Sequence, residues 1–149
     1  MFSGPALAAV LRQSHYRLKR FASDLNSRAQ PYQITERNAL GPTWQYGEEA
    51  DPARYHDGQC LMLADGRVVI AELQIVFGED CVTVDGRLGV EADETDDHGD
   101  GGVFGLLIDA GPRWARTDDE TVAAIRETVS EILSHPSLLE DLGVPVRES

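Results

Sequence analysis

The acidic, glycine-rich segment at residues 91–102 is the densest cluster of potential ligand side chains in the sequence. Hard cations such as Ca²⁺ bind several oxygen ligands that lie close together. When an EF-hand loop is aligned to start at Asp96, Asp100 falls at the correct fifth position. His98 stands at the third position, however, and Leu107 at the twelfth, where a bidentate glutamate is required. The spacing therefore predicts a solvated loop without a calcium ion.

The histidines, cysteines and serines show none of the spacings used for zinc binding or nucleophilic catalysis. No His-x-x-x-His or His-Glu-x-x-His pair occurs, and there is no Gly-x-Ser-x-Gly. Neither Cys60 nor Cys81 has an adjacent histidine or other positive residue that would activate its thiol. Both cysteines have apolar neighbours, so we expect reduced, buried side chains, whereas a disulfide would require Cα atoms within about 7 Å.

Phosphate binding and acid–base catalysis find little more support in the sequence. The stretch Gly99-Asp100-Gly101-Gly102 would bring a carboxylate towards an anionic ligand and has no following lysine. Glu72 could pair with Glu79, Asp80 or Glu91 for acid–base work, but strand alternation and loop solvation explain these acids more simply. We therefore expect no enzyme, no metal and no cofactor.

Negative charge is the most distinctive feature of the composition. Thirteen Lys and Arg against 26 Asp and Glu give a formal charge of -13, which argues against nucleic-acid or anionic-membrane binding. Residues 1–37 carry six basic and two acidic residues, whereas residues 38–149 carry seven and 24. Such an acidic surface accelerates association with cationic proteins, although solubility alone also favours added acids.

A long amphipathic helix is predicted over residues 5–29, with Pro31 limiting its carboxyl end. Basic side chains occupy the side opposite the apolar row. The apolar row comprises Leu7, Leu11, Leu18, Phe21, Ala22 and Leu25, with Ser14 in its one polar position.

A second helix is predicted to begin at a capping box formed by Thr117 and Glu120 and to end near Ser134. Pro136 suits the first position of a further short helix, which Gly143 would close.

Two Asp-Gly pairs, Asp65-Gly66 and Asp85-Gly86, each lie between apolar runs, which is typical of type I′ hairpins. In the strand Arg67–Phe77 the odd positions from Val69 onward (Val69, Ala71, Leu73, Ile75 and Phe77) are all apolar, so one face is expected to be buried. Val103–Asp109 is apolar on both faces and is expected to be a central strand.

The turn-rich residues 38–58 leave room only for a short strand near Thr43 to Tyr46. The predicted order is one helix, a meander of four to six antiparallel strands, a helix and a short helix. This order defines an α+β class with helices packed on one face of the sheet.

A chain of 149 residues fits one domain. We divide it into a basic amphipathic helix and linker at 1–37, a sheet with the acidic loop at 38–112, and carboxyl-terminal helices at 113–149. The amino terminus lacks a positive n-region and no apolar stretch approaches about 18 residues, so we expect a cytoplasmic protein. A single lysine, Lys19, against twelve arginines is typical of a GC-rich genome and favours a bacterial origin.

These features favour a non-enzymatic protein-binding module, most concretely an immunity protein that neutralises a basic partner such as a bacterial toxin. The acidic loop and a second acidic edge would supply the contacts, and the protein itself would be a monomer or homodimer. The contact residues would be Glu91, Asp93, Glu94, Asp96, Asp97 and Asp100, with Glu48, Glu49 and Asp51 in the second edge.

Three alternatives remain open. A small acidic secretion chaperone would hold a segment of its partner in an apolar groove and would be an obligate dimer. A polyanion-mimicking inhibitor of a DNA-binding protein would array carboxylates at phosphate-like spacing. An enzyme or small-molecule binder would have a deep cavity between the sheet and its helices, with a buried carboxylate or histidine. Its lining candidates are Trp44, Tyr46, His56 and Glu72.

Overall fold

The computed structural model describes residues 4–45, 52–91 and 104–148 and confirms the α+β class. Helix α1 (Gly4–Arg28) precedes the sheet, and α2 (Asp118–Ile132) and α3 (Leu138–Asp141) follow it. The strands in the described residues are β1 (Ile34–Ala39), β2 (Thr43–Gln45), β3 (Ala53–Leu63), β4 (Val68–Phe77), β5 (Val82–Glu91) and β6 (Phe104–Ala115). None of the described helices is both long enough and apolar enough to cross a membrane.

All pairings in the sheet are antiparallel, in the order β1-β3-β4-β5-β6. Strand β2 lies on the same side of β3 as β1, because β1 pairs with residues 59–63 and β2 with residues 54–56. The chain bends between β1 and β2 at Gly41, whose φ is 154°. A Cβ at Gly41 would lie 2.5 Å from the carbonyl oxygen of His56, so only glycine permits this close approach.

The helices cover one face of the sheet. Helix α1 contacts β3 and α2, and α2 contacts β5 and β6, so both helices lie on the same side. The predicted apolar row of α1 is confirmed by its buried residues, which are Val10, Leu11, Ser14, Leu18, Ala22 and Leu25. In β4, Val69, Ala71, Leu73 and Ile75 are buried against the helices, as the alternation predicted. We call the opposite face, which no described helix covers, the open face.

One of the two predicted Asp-Gly hairpins is present. Asp65-Gly66 joins β3 to β4, although only Gly66 has a positive φ, at 92°, so the connection is not a type I′ turn. The second prediction is wrong, because Asp85-Gly86 lies inside β5 and the β4–β5 turn is at residues 78–81. A Cβ on Gly86 would lie 2.5 Å from Cδ1 of Ile132 and 2.6 Å from Cγ2 of Thr128. This glycine therefore allows α2 to approach the sheet.

Two further strand predictions are corrected. Residues 53–58 were expected to be a connection but form the first half of β3. Gly58 allows this part of β3 to approach β4 closely, because a Cβ added at Gly58 would lie 2.6 Å from the carbonyl oxygen of Ala71. Strand β6 lies at the edge of the described sheet and is not central. Its apolar residues face both ways because Ala110 packs inward while Leu106 is 53% exposed on the open face.

The amino terminus of α2 confirms the predicted cap. The Glu120 N–H donates to the Thr117 hydroxyl oxygen at 3.1 Å. The Glu120 carboxylate accepts from the backbone N–H of Arg116, at 2.9 Å, and not from that of Thr117 as a capping box would have it. At the other end of the chain, Gly143 ends α3 with a φ of 72°, as predicted.

Candidate functional site

Most of the acidic residues predicted to bind a partner lie outside the described residues. Glu91 is described and is exposed at the end of β5. The other eight, which are Glu48, Glu49, Asp51, Asp93, Glu94, Asp96, Asp97 and Asp100, fall in the segments 46–51 and 92–103. Their part in binding stays a prediction. Tyr46, a predicted pocket residue, lies outside the described residues as well.

A groove of about 790 Å³ lies on the open face. Side chains from β2 to β6 line it, and we call it the open-face groove. Its titratable and charged residues are Arg54, His56, Glu72, Asp85, Arg87 and Asp109. These positions follow from strand alternation: since Leu73 and Ile75 face the helices, Glu72 and Gln74 between and beside them face the groove.

The predicted pocket between sheet and helices is thus corrected in its location. His56 and Glu72 do share a cavity, but on the face opposite the helices. Trp44 lies on the helix-bearing side, where its ring stacks on Phe77 with centroids 5.6 Å apart and meets Tyr55 edge-on at 4.9 Å. Trp44 and His56 therefore lie on different faces, because Trp44 pairs with Tyr55, the residue next to His56 in β3.

His56, Glu72 and Arg87 form a hydrogen-bonded row across three neighbouring strands. Nε2 of His56 lies 2.7 Å from Oε2 of Glu72, and Nε of Arg87 donates to the other carboxylate oxygen. The hydrogen bond from His56, together with Arg87, lowers the pKa of Glu72 in spite of burial. The hydrogen bond to Glu72 in turn raises the pKa of His56, and a hydrogen bond to the backbone of Leu40 raises it further.

The hydrogen bonds within the row determine which protonation states it favours. Each carboxylate oxygen of Glu72 lies within hydrogen-bond distance of one nitrogen, from His56 or from Arg87, which favours the ionised carboxylate. His56 is held between Glu72 and the backbone of Leu40, which favours its protonated form. The row therefore fixes the shape and charge of the groove floor.

Asp85 and Asp109 are the groove acids that remain for a ligand. No described residue donates a hydrogen bond to either carboxylate or forms an ion pair with it. Burial and then the charge of Asp109 raise the pKa of Asp85. Two carboxylates that repel each other make a site that a cationic group would stabilise. Sequence analysis missed them, although the alternation of buried Val82 and Val84 places Asp85 and Arg87 on the face of Glu72.

Two large apolar side chains of β6 lie exposed on the same face. Leu106, which lines the groove, is 53% exposed and Trp114 is 67% exposed. Trp114 faces away from the helices, because its neighbour Arg113 contacts Thr128 on α2. Exposed aromatic residues of this kind are frequent anchors in protein interfaces. The rim of the open face thus adds apolar contact area to the charged groove.

The described residues contain neither a disulfide nor a group of side chains that could hold a metal ion. Cys60 and Cys81 are unpaired and partly exposed, which corrects the expectation that both are buried. Within residues 4–45, 52–91 and 104–148, no three His, Cys, Asp or Glu side chains are grouped so that they could hold a metal ion.

No protein-family model, curated protein or solved structure matches this chain.

Proposed function

We propose that this protein is a non-enzymatic binding module whose open-face groove receives a cationic side chain of a basic partner protein. The observation that carries the proposal is the Asp85–Asp109 pair, two carboxylates that line the same groove, raise each other's cost of ionisation and form no ion pair with another described residue. In its most concrete form, the module is an immunity protein that masks a basic toxin.

Charge complementarity argues for a basic partner. A lysine or arginine placed between Asp85 and Asp109 would remove their mutual repulsion and form charge-assisted hydrogen bonds with both. The formal charge of -13 would also steer a cationic protein towards the surface. An enzyme that acts on a polyanion such as nucleic acid is itself cationic, which makes a nuclease-like toxin a suitable target.

The acidic loop adjoins, in sequence, the two strands that carry the proposed contact residues. Residues 92–103 join β5 to β6, and these are the two strands that carry Asp85 and Asp109. The loop acids Asp96 and Asp97 are therefore proposed to contribute to the partner contact. Trp114, near the other end of β6, would supply a separate apolar anchor.

The closed row on the groove floor supports binding over catalysis. An acid–base enzyme needs a carboxylate or histidine that can exchange a proton with its substrate. Glu72 is engaged on both oxygens and His56 by two hydrogen bonds. Asp85 and Asp109 offer recognition of a cation without an activated nucleophile among the residues around them.

A second candidate is a binder of a small organic cation. The groove volume of about 790 Å³ falls within the range of small-molecule sites, and an amine would meet the same two carboxylates. The two candidates differ in the mass of the ligand that accompanies the purified protein.

The test is tagged purification from the native host at about 0.1 M and about 1 M salt, where the Debye length falls from roughly 10 Å to 3 Å. Intact-complex mass spectrometry then identifies what is bound. We expect a basic protein that is retained at low salt and weakened at high salt. The same purification is run with Asp85→Asn/Asp109→Asn, which should lose that protein.

The matched control is Glu79→Gln/Asp80→Asn, which removes two exposed carboxylates in the β4–β5 turn and should retain the partner. A partner kept equally by both double variants would contradict a role for the groove. A bound small amine with no protein would support the second candidate in place of the first.

A further inference from the structure

A second cavity, of about 320 Å³, lies on the helix-bearing side of the sheet, between α1 and the β1 edge. Its lining residues are His15, Lys19 and Ser23 from α1, Arg37 and Ala39 from β1, and Gln59 from β3. We call it the α1–β1 cavity. Gln59 faces the helices whereas His56 of the same strand faces the open-face groove, so the two cavities lie on opposite faces of the sheet.

Gln59 places a side-chain amide in the wall of this cavity. Its side chain is only 8% exposed, yet its amide forms no hydrogen bond with any residue that the structure describes. The amide of Gln59 therefore suits a partner that enters the cavity from solvent.

The charged side chains of the cavity are positive and lack counter-charges. Lys19 and Arg37 form no ion pair with the described residues, in a protein whose net charge is -13. Both belong to the basic first 37 residues, and the fold brings them from helix and strand to one cavity. The basic residues of this segment therefore line a possible binding site for an anion, and neither of them lines the open-face groove.

His15 is oriented by a buried carboxylate. Its Nδ1 lies 2.9 Å from Oδ2 of Asp57, a side chain with 0% exposure that also accepts the backbone N–H of Gly58 at 2.8 Å. This contact leaves Nε2 as the ring nitrogen for a ligand. Asp57 is held behind His15, so the Lys19 and Arg37 charges dominate the cavity mouth.

From this arrangement we infer that the α1–β1 cavity binds the phosphate group of a small phosphate monoester. Lys19, Arg37 and the hydroxyl of Ser23 offer more donors than the two oxygens of a carboxylate can take, whereas a phosphate monoester presents three terminal oxygens. The Gln59 amide supplies a further donor at the cavity wall. The acidic surface elsewhere disfavours a polyanion such as nucleic acid, so the ligand is small. The site is independent of the proposed function.

The test is a titration of the ¹⁵N-labelled full chain, followed by NMR, with sodium phosphate and then with glycerol phosphate as probes. Sodium chloride at equal ionic strength is the blank. We expect saturable shifts of the Gln59 side-chain amide and of the Lys19 and Arg37 backbone amides with both probes. Lys19→Gln/Arg37→Gln should weaken binding by about tenfold or more, because two charge-assisted contacts are lost.

Arg20→Gln/Arg116→Gln is the charge-matched control, since both side chains are exposed and lie outside the cavity lining. It should bind phosphate within about twofold of the unmodified protein, as expected for screened surface charges. Gln59→Leu keeps the bulk of the side chain but removes its donors, and should also weaken binding. A urea unfolding midpoint shows that each variant is folded.

Shifts that match those with sodium chloride would overturn the inference, as would equal weakening in both double variants. Saturation by inorganic phosphate without binding of glycerol phosphate would overturn the assignment to a monoester.

Discussion

Replacing Gly86 by alanine should destabilise the protein through direct overpacking. The new Cβ would lie 2.5 Å from Cδ1 of Ile132, 2.6 Å from Cγ2 of Thr128 and 2.8 Å from Cγ1 of Ile132. Carbon atoms in good contact are about 3.5–4.0 Å apart, so α2 and β5 must separate by roughly 1 Å locally. Overpacking of a well-packed core costs about 1–3 kcal/mol in the free energy of unfolding.

The assay is urea unfolding followed by circular dichroism. With a slope of about 1–3 kcal/mol per molar urea, the Gly86→Ala midpoint should fall by roughly 0.5–1 M. Gly105→Ala is the matched control, because its Cβ would meet nothing nearer than the Val90 carbonyl oxygen at 3.9 Å. Both variants reduce the conformational entropy of the unfolded chain, as any glycine-to-alanine change does, so this effect cancels in the comparison.

A second substitution separates overpacking from other causes. Ile132→Val removes Cδ1, so Gly86→Ala/Ile132→Val should be less destabilised than the sum of the two single changes, with a coupling of about 1 kcal/mol. Equal midpoints for Gly86→Ala and Gly105→Ala, or strictly additive effects with Ile132→Val, would refute the packing of α2 on β5 at this position.

Three other predictions follow from the charged groups. Asp109→Asn should raise the free energy of unfolding by roughly 0.2–1 kcal/mol and return the pKa of Asp85 towards its ordinary value, since like charges on neighbouring strands destabilise a sheet. Because the folded-state pKa of Asp85 is raised, this gain is full above that pKa and vanishes as the pH falls below about 3.8; urea unfolding across the pH range checks it. The raised pKa of His56 contributes stability that is fully present below pH 6.5 and is lost as the pH rises through the folded-state pKa, and His56→Gln should abolish that slope in thermal unfolding. Asp57→Ala should cost about 3 kcal/mol or more in urea unfolding, because it removes a fully buried acceptor from His15 and the Gly58 N–H, whereas the exposed Glu36→Ala should cost almost nothing.

The helices and the buried face of the sheet could be predicted from local sequence patterns. The row from Leu7 to Leu25 and the odd positions of β4 each bury one side of an element, and this periodicity does not depend on which element covers it. The cap at Thr117 is a contact within one turn of helix and is equally local.

The structural roles of the two glycines that follow aspartate could not be predicted from local sequence. Gly66 and Gly86 both follow aspartate between apolar runs, but Gly66 has the positive φ of a turn, whereas Gly86 accommodates Ile132 from α2. Only the path of α2, whose contacting residues Thr128 and Ile132 lie more than forty residues after Gly86, separates these two roles. Strand β6 was predicted to be central because both of its faces are apolar. It lies at the edge of the described sheet, and the order of strands in a sheet does not follow from local sequence.

The groove residues show the same limit. His56 and Glu72 were singled out from the sequence, but Asp85 and Asp109 join them through the registers of β4, β5 and β6. Charge asymmetry located the basic first 37 residues, whereas the meeting of Lys19 with Arg37 depends on α1 lying beside β1.

The association rate of the basic partner with the open-face groove is the decisive measurement for the proposed function. The partner is mixed in stopped-flow with the unmodified protein, with Asp85→Asn/Asp109→Asn and with Glu79→Gln/Asp80→Asn, at low and physiological salt. We predict that the groove variant binds about tenfold or more weakly and loses part of the salt dependence, while the turn variant stays close to the unmodified protein. Equal rates and affinities for the two variants would contradict the assignment of this groove as the binding site.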